Sequence, residues 1–149
     1  MIRTVLAALT LVLLTAAGAS ADAQRVQELA ARIAAEASLR ADAYKTAPAA
    51  PAEAPAPGDP LLADLTDFSL AARALSLDIE ETGGPQDLRC IFRGMSGDVA
   101  DRVADLDAGQ TRADLSRAYS EIARLAEQAQ RIASDPELAE ETAAPCTAE

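Results

Sequence analysis

Two cysteines carry the most distinctive side-chain chemistry in this chain. Cys90 lies within residues 87–99, DLRCIFRGMSGDV, and Cys146 lies close to the last residue. In a protein exported to an oxidising compartment, two cysteines most simply form one disulfide. The bridge would close a loop of about 57 residues, for which chain entropy gives a stabilisation of about 4 kcal/mol. We therefore predict a disulfide between Cys90 and Cys146.

Two other roles for these cysteines stay open. Cys146 can form an intermolecular bridge, or the two thiols can act as a redox pair. The residues are not arranged as Cys-x-x-Cys, and neither lies at a predicted helix N-terminus, where the thiol pKa would fall. The pattern thus favours a structural disulfide over redox chemistry.

Histidine is absent from the sequence. The chain therefore has no Ser-His-Asp or Cys-His catalytic group. Haem ligation by histidine, histidine-containing zinc sites and the Glu-x-x-His di-iron sites of helical bundles are excluded as well. The RGMSG segment is not a phosphate-binding loop, because it lacks the preceding strand and the spacing that such loops need. We predict no cofactor and no enzymatic activity.

Acidic residues are the remaining candidates for binding a metal. Residues 105–109 begin like a calcium-binding EF-hand loop, but its fifth and twelfth positions are Gly109 and Ser116, so the match fails. A second acidic set shares one helix face and forms either a solvated ridge or a weak cation site: Asp98, Asp101 and Asp105. A small metal-binding protein, or an enzyme that uses carboxylates alone, is therefore the alternative function.

The chain is strongly acidic, with a formal net charge of −11. Such a field repels nucleic acids and anionic membrane surfaces, because binding to them depends on Lys and Arg. We predict no nucleic-acid partner. Three arginines flank the predicted third helix, where they pair with neighbouring acids or, alternatively, receive an anionic partner: Arg89, Arg93 and Arg102.

Residues 1–21, MIRTVLAALTLVLLTAAGASA, have the layout of a secretory signal peptide. An arginine precedes an apolar run over residues 5–17, and the last three residues fit an A-x-A cleavage site. A membrane anchor is the alternative, but the run is shorter than the roughly 18 residues that a span needs. We expect cleavage after Ala21, no membrane span in the mature chain, and a periplasmic or secreted location. The excess of Ala, and of Arg over Lys, indicates a bacterial envelope protein.

The first helical pattern covers residues 22–45. Val26, Leu29 and Ile33 repeat on one narrow, alanine-rich face that charged residues surround. Because a stripe this thin predicts a weakly held helix, we interpret these three residues as a candidate partner-binding surface that orders on docking. The alternative is that the helix completes a four-helix bundle, since thin alanine stripes pack closely.

Residues 46–59 are rich in proline and alanine, a composition that favours extended polyproline II and blocks a helix. We interpret them as a semi-rigid linker, and a proline-binding partner is the alternative. With such a linker, the first helix need not pack on the rest of the chain.

The second helix begins at Asp59-Pro60, which supplies an N-cap and a first-turn proline, and it ends at Gly83-Gly84. Its apolar residues recur at spacings of three and four, and Leu77 widens the stripe.

The third helix runs from about Pro85 to Leu106, and its apolar residues stay on one face of the helix across Gly94 and Gly97. A break at Gly94 stays open, because a glycine inside a helix costs about 1 kcal/mol relative to alanine.

The fourth helix begins at Thr111-x-x-Asp114, which resembles a capping box, and extends to about Ser134. Residues 135–149 follow as a short acidic helix and a tail that contains Cys146. On a helical wheel, Cys90, Gly94 and Gly97 lie on the face of the third helix that points away from the core. We expect the tail to fold over this strip, where small residues allow a close approach.

These patterns predict an all-α protein with one disulfide. Residues 60–134 form a small antiparallel bundle of three core helices, and the N-terminal helix is a possible fourth. A core of about 75 residues with few aromatic side chains is near the limit of independent stability. We expect an exported, non-enzymatic protein that acts through protein–protein contacts, as an envelope accessory, chaperone-like or inhibitor-like module. Its expected partner is an envelope protein or a second copy of the chain.

Overall fold

The structure is a computed structural model that describes residues 17–135, with side chains from Ala21 onward. Within this range the chain forms four helices: α1 (Ala17–Tyr44), α2 (Pro60–Glu81), α3 (Gln86–Ala108) and α4 (Arg112–Ser134). The only strand-like pairing in the described range is an isolated bridge between Pro51 and Thr111. The prediction of an all-α helical bundle is confirmed. None of the described helices is both long and apolar enough to cross a membrane.

The four helices form a ring in which each packs on the next. Helix α1 contacts α4 and α2, and α3 contacts α2 and α4. At one end of the bundle the Gln27 side chain donates to the Ala133 carbonyl at 2.7 Å, and at the other the Ser116 hydroxyl donates to the Ala41 carbonyl at 2.9 Å. The residue numbers joined by these two bonds show that α1 and α4 are antiparallel, as in up-and-down four-helix bundles.

The helix ends follow the capping signals in the sequence. At the start of α2, the Asp59 carboxylate accepts a hydrogen bond from the Leu61 amide at 2.9 Å. After the helix, Gly83 takes a φ of 69°, which glycine adopts without a steric penalty. At the start of α4, Thr111 and Asp114 form the reciprocal bonds of a capping box. The predicted boundaries of both helices are confirmed.

Helix α3 is continuous across Gly94 and Gly97, so the alternative of a break at Gly94 is wrong. The apolar residues that share one phase along the helix are buried: Leu88, Phe92, Met95, Val99 and Leu106. Their burial against the neighbouring helices outweighs the propensity cost of the glycines, because tertiary packing supplies most of the stability of a helix in a protein.

The proline-rich segment is attached to the bundle. The Ala52 amide donates to the Gln110 carbonyl, and the Arg112 amide donates to the Ala50 carbonyl, both at 3.0 Å. The Arg112 side chain also donates to the carbonyls of Thr46, at 2.7 Å, and Ala43. Turns and bends occupy residues 45–50 and 57–58, so the expectation that the segment is extended is corrected for these parts, and residues 50–52 pair with the α3–α4 turn. Although such a linker does not require the first helix to pack on the rest of the chain, α1 packs on both α2 and α4.

Candidate functional site

The candidate partner-binding residues of α1 lie in the core of the bundle. Val26 and Ile33 are 0% and 1% exposed, and Leu29 is also buried. Four alanines of the same helix are buried with them: Ala30, Ala34, Ala37 and Ala41. Their small side chains let α1 approach its neighbours closely, so the thin stripe makes a tight contact. The expectation of an accessible docking stripe is thus corrected, since a partner could reach it only if α1 left the bundle.

The predicted disulfide lies partly outside the described residues. Cys90 is half-buried on α3, and none of the cysteines in residues 17–135 is free. Cys146 and the predicted acidic helix and tail lie beyond this range, so their pairing stays a prediction. Gly94 and Gly97 are exposed, and a Cβ added to either would meet no described atom within 4 Å.

An arginine–tyrosine stack joins α1 to α4 at the end of the bundle near the linker. The rings of Tyr44 and Tyr119 stack with their centroids 5.7 Å apart. The Arg40 guanidinium lies 5.7 Å from the Tyr119 centroid, and that of Arg112 lies 4.9 Å from the Tyr44 centroid. Cation–π attraction therefore acts on both sides of the stack. Sequence reasoning missed this cluster, because Arg40 and Tyr44 on α1 lie far along the chain from Arg112 and Tyr119 on α4.

Arg40 also connects α1 to the start of α2. Its guanidinium donates to the carboxylates of Asp59 and Glu36, both at 2.7 Å. The hydrogen bond from Arg40 lowers the pKa of the Asp59 carboxyl, with a further contribution from the Leu61 amide, while partial burial opposes the shift. Asp59 is thus an N-cap and an ion-pair partner at once. Since these groups satisfy one another, the cluster holds the helices together and does not resemble a ligand site.

An open groove of about 290 Å³ lies between the end of α3 and the start of α4. Three carboxylates line it, and each already has a partner. The Thr111 hydroxyl donates to Asp114 at 2.6 Å and lowers the pKa of that carboxyl, while Arg102 pairs with Asp105 at 2.9 Å and with Glu121. Across residues 17–135, no three His, Cys, Asp or Glu side chains are grouped so that they could hold a metal ion.

The three arginines around α3 differ in their surroundings. Arg89 pairs with Glu80 at 2.9 Å, and Arg102 pairs with the two groove carboxylates, so these two follow the predicted pairing with neighbouring acids. Arg93 is exposed, and no ion pair joins it to another described residue. Of these three arginines, Arg93 is therefore the one whose guanidinium group could pair with an anionic group of another molecule.

Three leucines of the described part of the bundle are exposed. Leu39 on α1 is 68% exposed, and Leu70 and Leu77 on α2 are 63% and 49% exposed. The interpretation of Leu77 as part of the buried stripe is wrong, because the core of α2 is centred on Leu65, Phe68 and Ala72 instead. The seven-residue spacing of Leu70 and Leu77 places them on one face of the helix, outside that stripe. This spacing is the sequence signal that could have identified them.

No protein-family profile matches the sequence, and no curated protein or solved structure is significantly similar to the chain.

Proposed function

We propose that this chain is an exported, non-enzymatic helical protein that acts through protein–protein contacts in the bacterial envelope. The supporting observation is the exposure of Leu39, Leu70 and Leu77 on a bundle whose other large apolar side chains are buried or half-buried. Single exposed apolar residues are ordinary in proteins. Two apolar residues one heptad apart on the same helix face, by contrast, have the spacing of the anchor residues through which helices bind one another. The partner is a protein of the cell envelope.

Export is the part of the proposal that rests on residues 1–21. The charge, apolar run and small residues of this segment match a secretory signal. Cleavage after Ala21 is compatible with the bundle, because the first core residue of α1 is Val26. Cell fractionation and N-terminal sequencing test it, and we expect a periplasmic or secreted protein that begins at Asp22. An unprocessed cytoplasmic chain would contradict it.

A disulfide between Cys90 and Cys146 is the second part of the proposal. Arg102 on α3 pairs with Glu121 on α4, so in two antiparallel helices Ser134 at the end of α4 comes level with Arg89, next to Cys90. Eleven residues lead from Asp135 to Cys146, and an extended chain of that length spans up to about 36 Å. The bridge is therefore within reach of the chain.

Thiol labelling of the unreduced, denatured protein tests the disulfide directly. We expect no free thiol, a monomer on a non-reducing gel, and a lower Tm for Cys146→Ser, because the loop constraint on the unfolded chain is lost. Two reactive thiols would contradict the bridge. A reducible dimer would assign Cys146 to an intermolecular bond instead.

Site-specific photo-cross-linking in living cells tests action through contacts. A benzoylphenylalanine at position 39, 70 or 77 should cross-link a defined envelope protein, and the same group at the exposed position 104 serves as the control. The captured protein should then bind the purified chain in titrations. Capture by none of the three leucine positions, or equal capture at position 104, would contradict the proposal. Catalytic turnover by the purified protein would also overturn it.

A further inference from the structure

The surface between α2 and α3 can be mapped from two hydrogen bonds. The Ser69 hydroxyl donates to the Ser96 carbonyl, and the Ser76 hydroxyl donates to the Arg89 carbonyl, both at 2.9 Å. The two helices are thus antiparallel, and a step of seven residues forward along α2 matches a step of seven residues back along α3. Midway between the two bonds, Arg73 on α2 lies level with Arg93 on α3.

Four exposed residues lie on the outer side of this helix pair. Leu70 and Leu77 each follow one of the two serines, so they lie about 100° further round α2 and away from the core. Arg73 lies between them on the same side, and Arg93 faces outward from α3 at the same level. We name Leu70, Arg73, Leu77 and Arg93 the α2–α3 patch.

The charges of the patch are not neutralised within the described part of the chain. Six other arginines have carboxylate partners: Arg32, Arg40, Arg89, Arg102, Arg117 and Arg124. Arg73 and Arg93 have no such ion pair with any residue of the range 17–135, although the chain has a net charge of −11. Two neighbouring guanidinium groups repel each other unless an anionic group lies near both. The patch is therefore basic and apolar on an otherwise acidic protein.

We propose that the α2–α3 patch binds an acidic amphipathic helix of a partner protein. Apolar side chains one heptad apart on that helix would contact Leu70 and Leu77, as in helix-in-groove recognition. Carboxylates between them would pair with Arg73 and Arg93, whose planar donor groups match carboxylate geometry. The inference rests on the proposed action through protein contacts and specifies the surface and the chemistry of the partner.

A protein helix fits this patch better than an anionic membrane does. Electrostatic docking to lipid headgroups typically needs a cluster of about four to eight Lys or Arg, and the patch has two. The net negative charge of the whole chain also repels an anionic bilayer. The paired leucines, by contrast, supply the apolar contact that helix recognition requires.

Fluorescence anisotropy with synthetic helical peptides tests the proposal on the full mature chain. The probe carries leucines seven residues apart with glutamates between them, and a second peptide has lysines in place of those glutamates. We expect the acidic peptide to bind the natural chain. The R73E/R93E and L70S/L77S variants should each bind it at least about tenfold more weakly.

Two matched controls separate the patch from general charge and exposure. R25E/R131E makes the same change in net charge at two exposed arginines outside the patch, and A104S replaces an apolar side chain at an exposed position of α3 outside the patch. Both controls should bind the acidic peptide within about twofold of the natural chain, because neither alters the patch. R73E/R93E should gain binding to the lysine peptide, a reversal that loss of folding could not produce.

Several results would overturn the proposal. Equal binding of the acidic peptide by all variants, or no binding by the natural chain, would remove the patch as its site. Binding to phosphatidylglycerol vesicles that R73E/R93E abolishes, without peptide binding, would assign the patch to a membrane. Peptide binding only after deletion of residues 136–149 would make this acidic segment of the chain the occupant. Cross-linking of a partner at position 39 alone would refute the patch and leave the proposed function standing.

Discussion

The side chain of Asp59 connects the start of α2 to helix α1. One carboxylate oxygen caps α2 through the Leu61 amide, and the other accepts a hydrogen bond from Arg40 of α1. Both groups of the ion pair are largely shielded from water, so the pair is screened less than a surface salt bridge. The start of α2 is therefore anchored to the last turns of α1 by a charge as well as by packing.

Substitution of Asp59 separates these two roles. Asn is also a good N-cap but carries no charge, so D59N should lower the free energy of unfolding by about 1–2 kcal/mol through the ion pair alone. D59A should cost about 1 kcal/mol more, because the cap is lost as well. Urea denaturation at pH 7 measures both. Equal stability of D59N and the natural chain would show that the pair with Arg40 contributes nothing.

The acid side of the stability profile provides a second test of the same contact. Because the pKa of Asp59 is lowered in the folded chain, its contribution is present above the ordinary value of 3.8 and is lost as the pH falls through the folded pKa. D59N has no carboxyl to protonate, so its disadvantage should shrink as the pH falls below about 4. Denaturation midpoints between pH 2 and pH 7 measure this. A constant difference across that range would contradict the assignment.

At the scale of the helices, two glycines with different surroundings provide a matched pair. Gly94 lies exposed within α3, where an added Cβ meets nothing described within 4 Å. At Gly109 an added Cβ would lie 2.5 Å from Cδ2 of Leu115, which is fully buried. G94A should therefore raise the free energy of unfolding by about 0.5–1 kcal/mol. G109A should lower it by about 1–3 kcal/mol, because the core must shift.

Denaturant titration of both glycine variants measures these opposite effects. The two substitutions add the same methyl group, so a difference in sign isolates the surroundings of each site. Destabilisation by G94A would mean that the outer strip of α3 is occupied in solution. A neutral G109A would mean that Leu115 can move aside easily.

The helix boundaries could be predicted because their signals are local. Asp59-Pro60, and Thr111 with Asp114, act on backbone amides within three residues, so the sequence alone displays both partners of each cap. The continuity of α3 could also be predicted, because the apolar residues before and after both glycines lie on the same face of one helix. Leu77 could have been placed correctly too, because a wheel puts it, together with Leu70, on the side of α2 opposite Phe68.

At the scale of the whole molecule, the position of α1 depends on contacts that no local pattern displays. Tyr44 stacks on Tyr119, and Ser116 bonds to the Ala41 carbonyl, across about half of the chain. The linker is held by backbone hydrogen bonds, which leave no signature in side-chain type. An alanine-rich stripe predicts a weakly packed helix because it buries little apolar area, yet its small side chains permit close packing between helices. The candidate binding residues were therefore assigned to the surface instead of the core.

Arg112 is the side chain that ties the linker, α1 and α4 together. It donates to the carbonyls of Thr46 and Ala43 and lies over the Tyr44 ring. R112A should lower the free energy of unfolding by about 1–2 kcal/mol and speed hydrogen exchange of the Ala52 amide, because the linker is held less firmly. R117A, at an exposed position on the same helix, is the control and should have little effect on either. Unchanged exchange at Ala52 in R112A would contradict this role.

The place of α1 in the core can be tested by comparing two apolar residues of that helix. Ile33 is 1% exposed and Leu39 is 68% exposed. I33A should lower the free energy of unfolding by about 2–4 kcal/mol through lost burial and a cavity in the core, whereas L39A should change it by less than about 0.5 kcal/mol. Thermal and urea unfolding, followed by circular dichroism, measure both. If I33A were as stable as L39A, α1 would be detached in solution, and its apolar stripe would again be free to bind a partner. A large loss for I33A alone would establish that four helices share one core and that contacts with other proteins are made from the outside of the bundle.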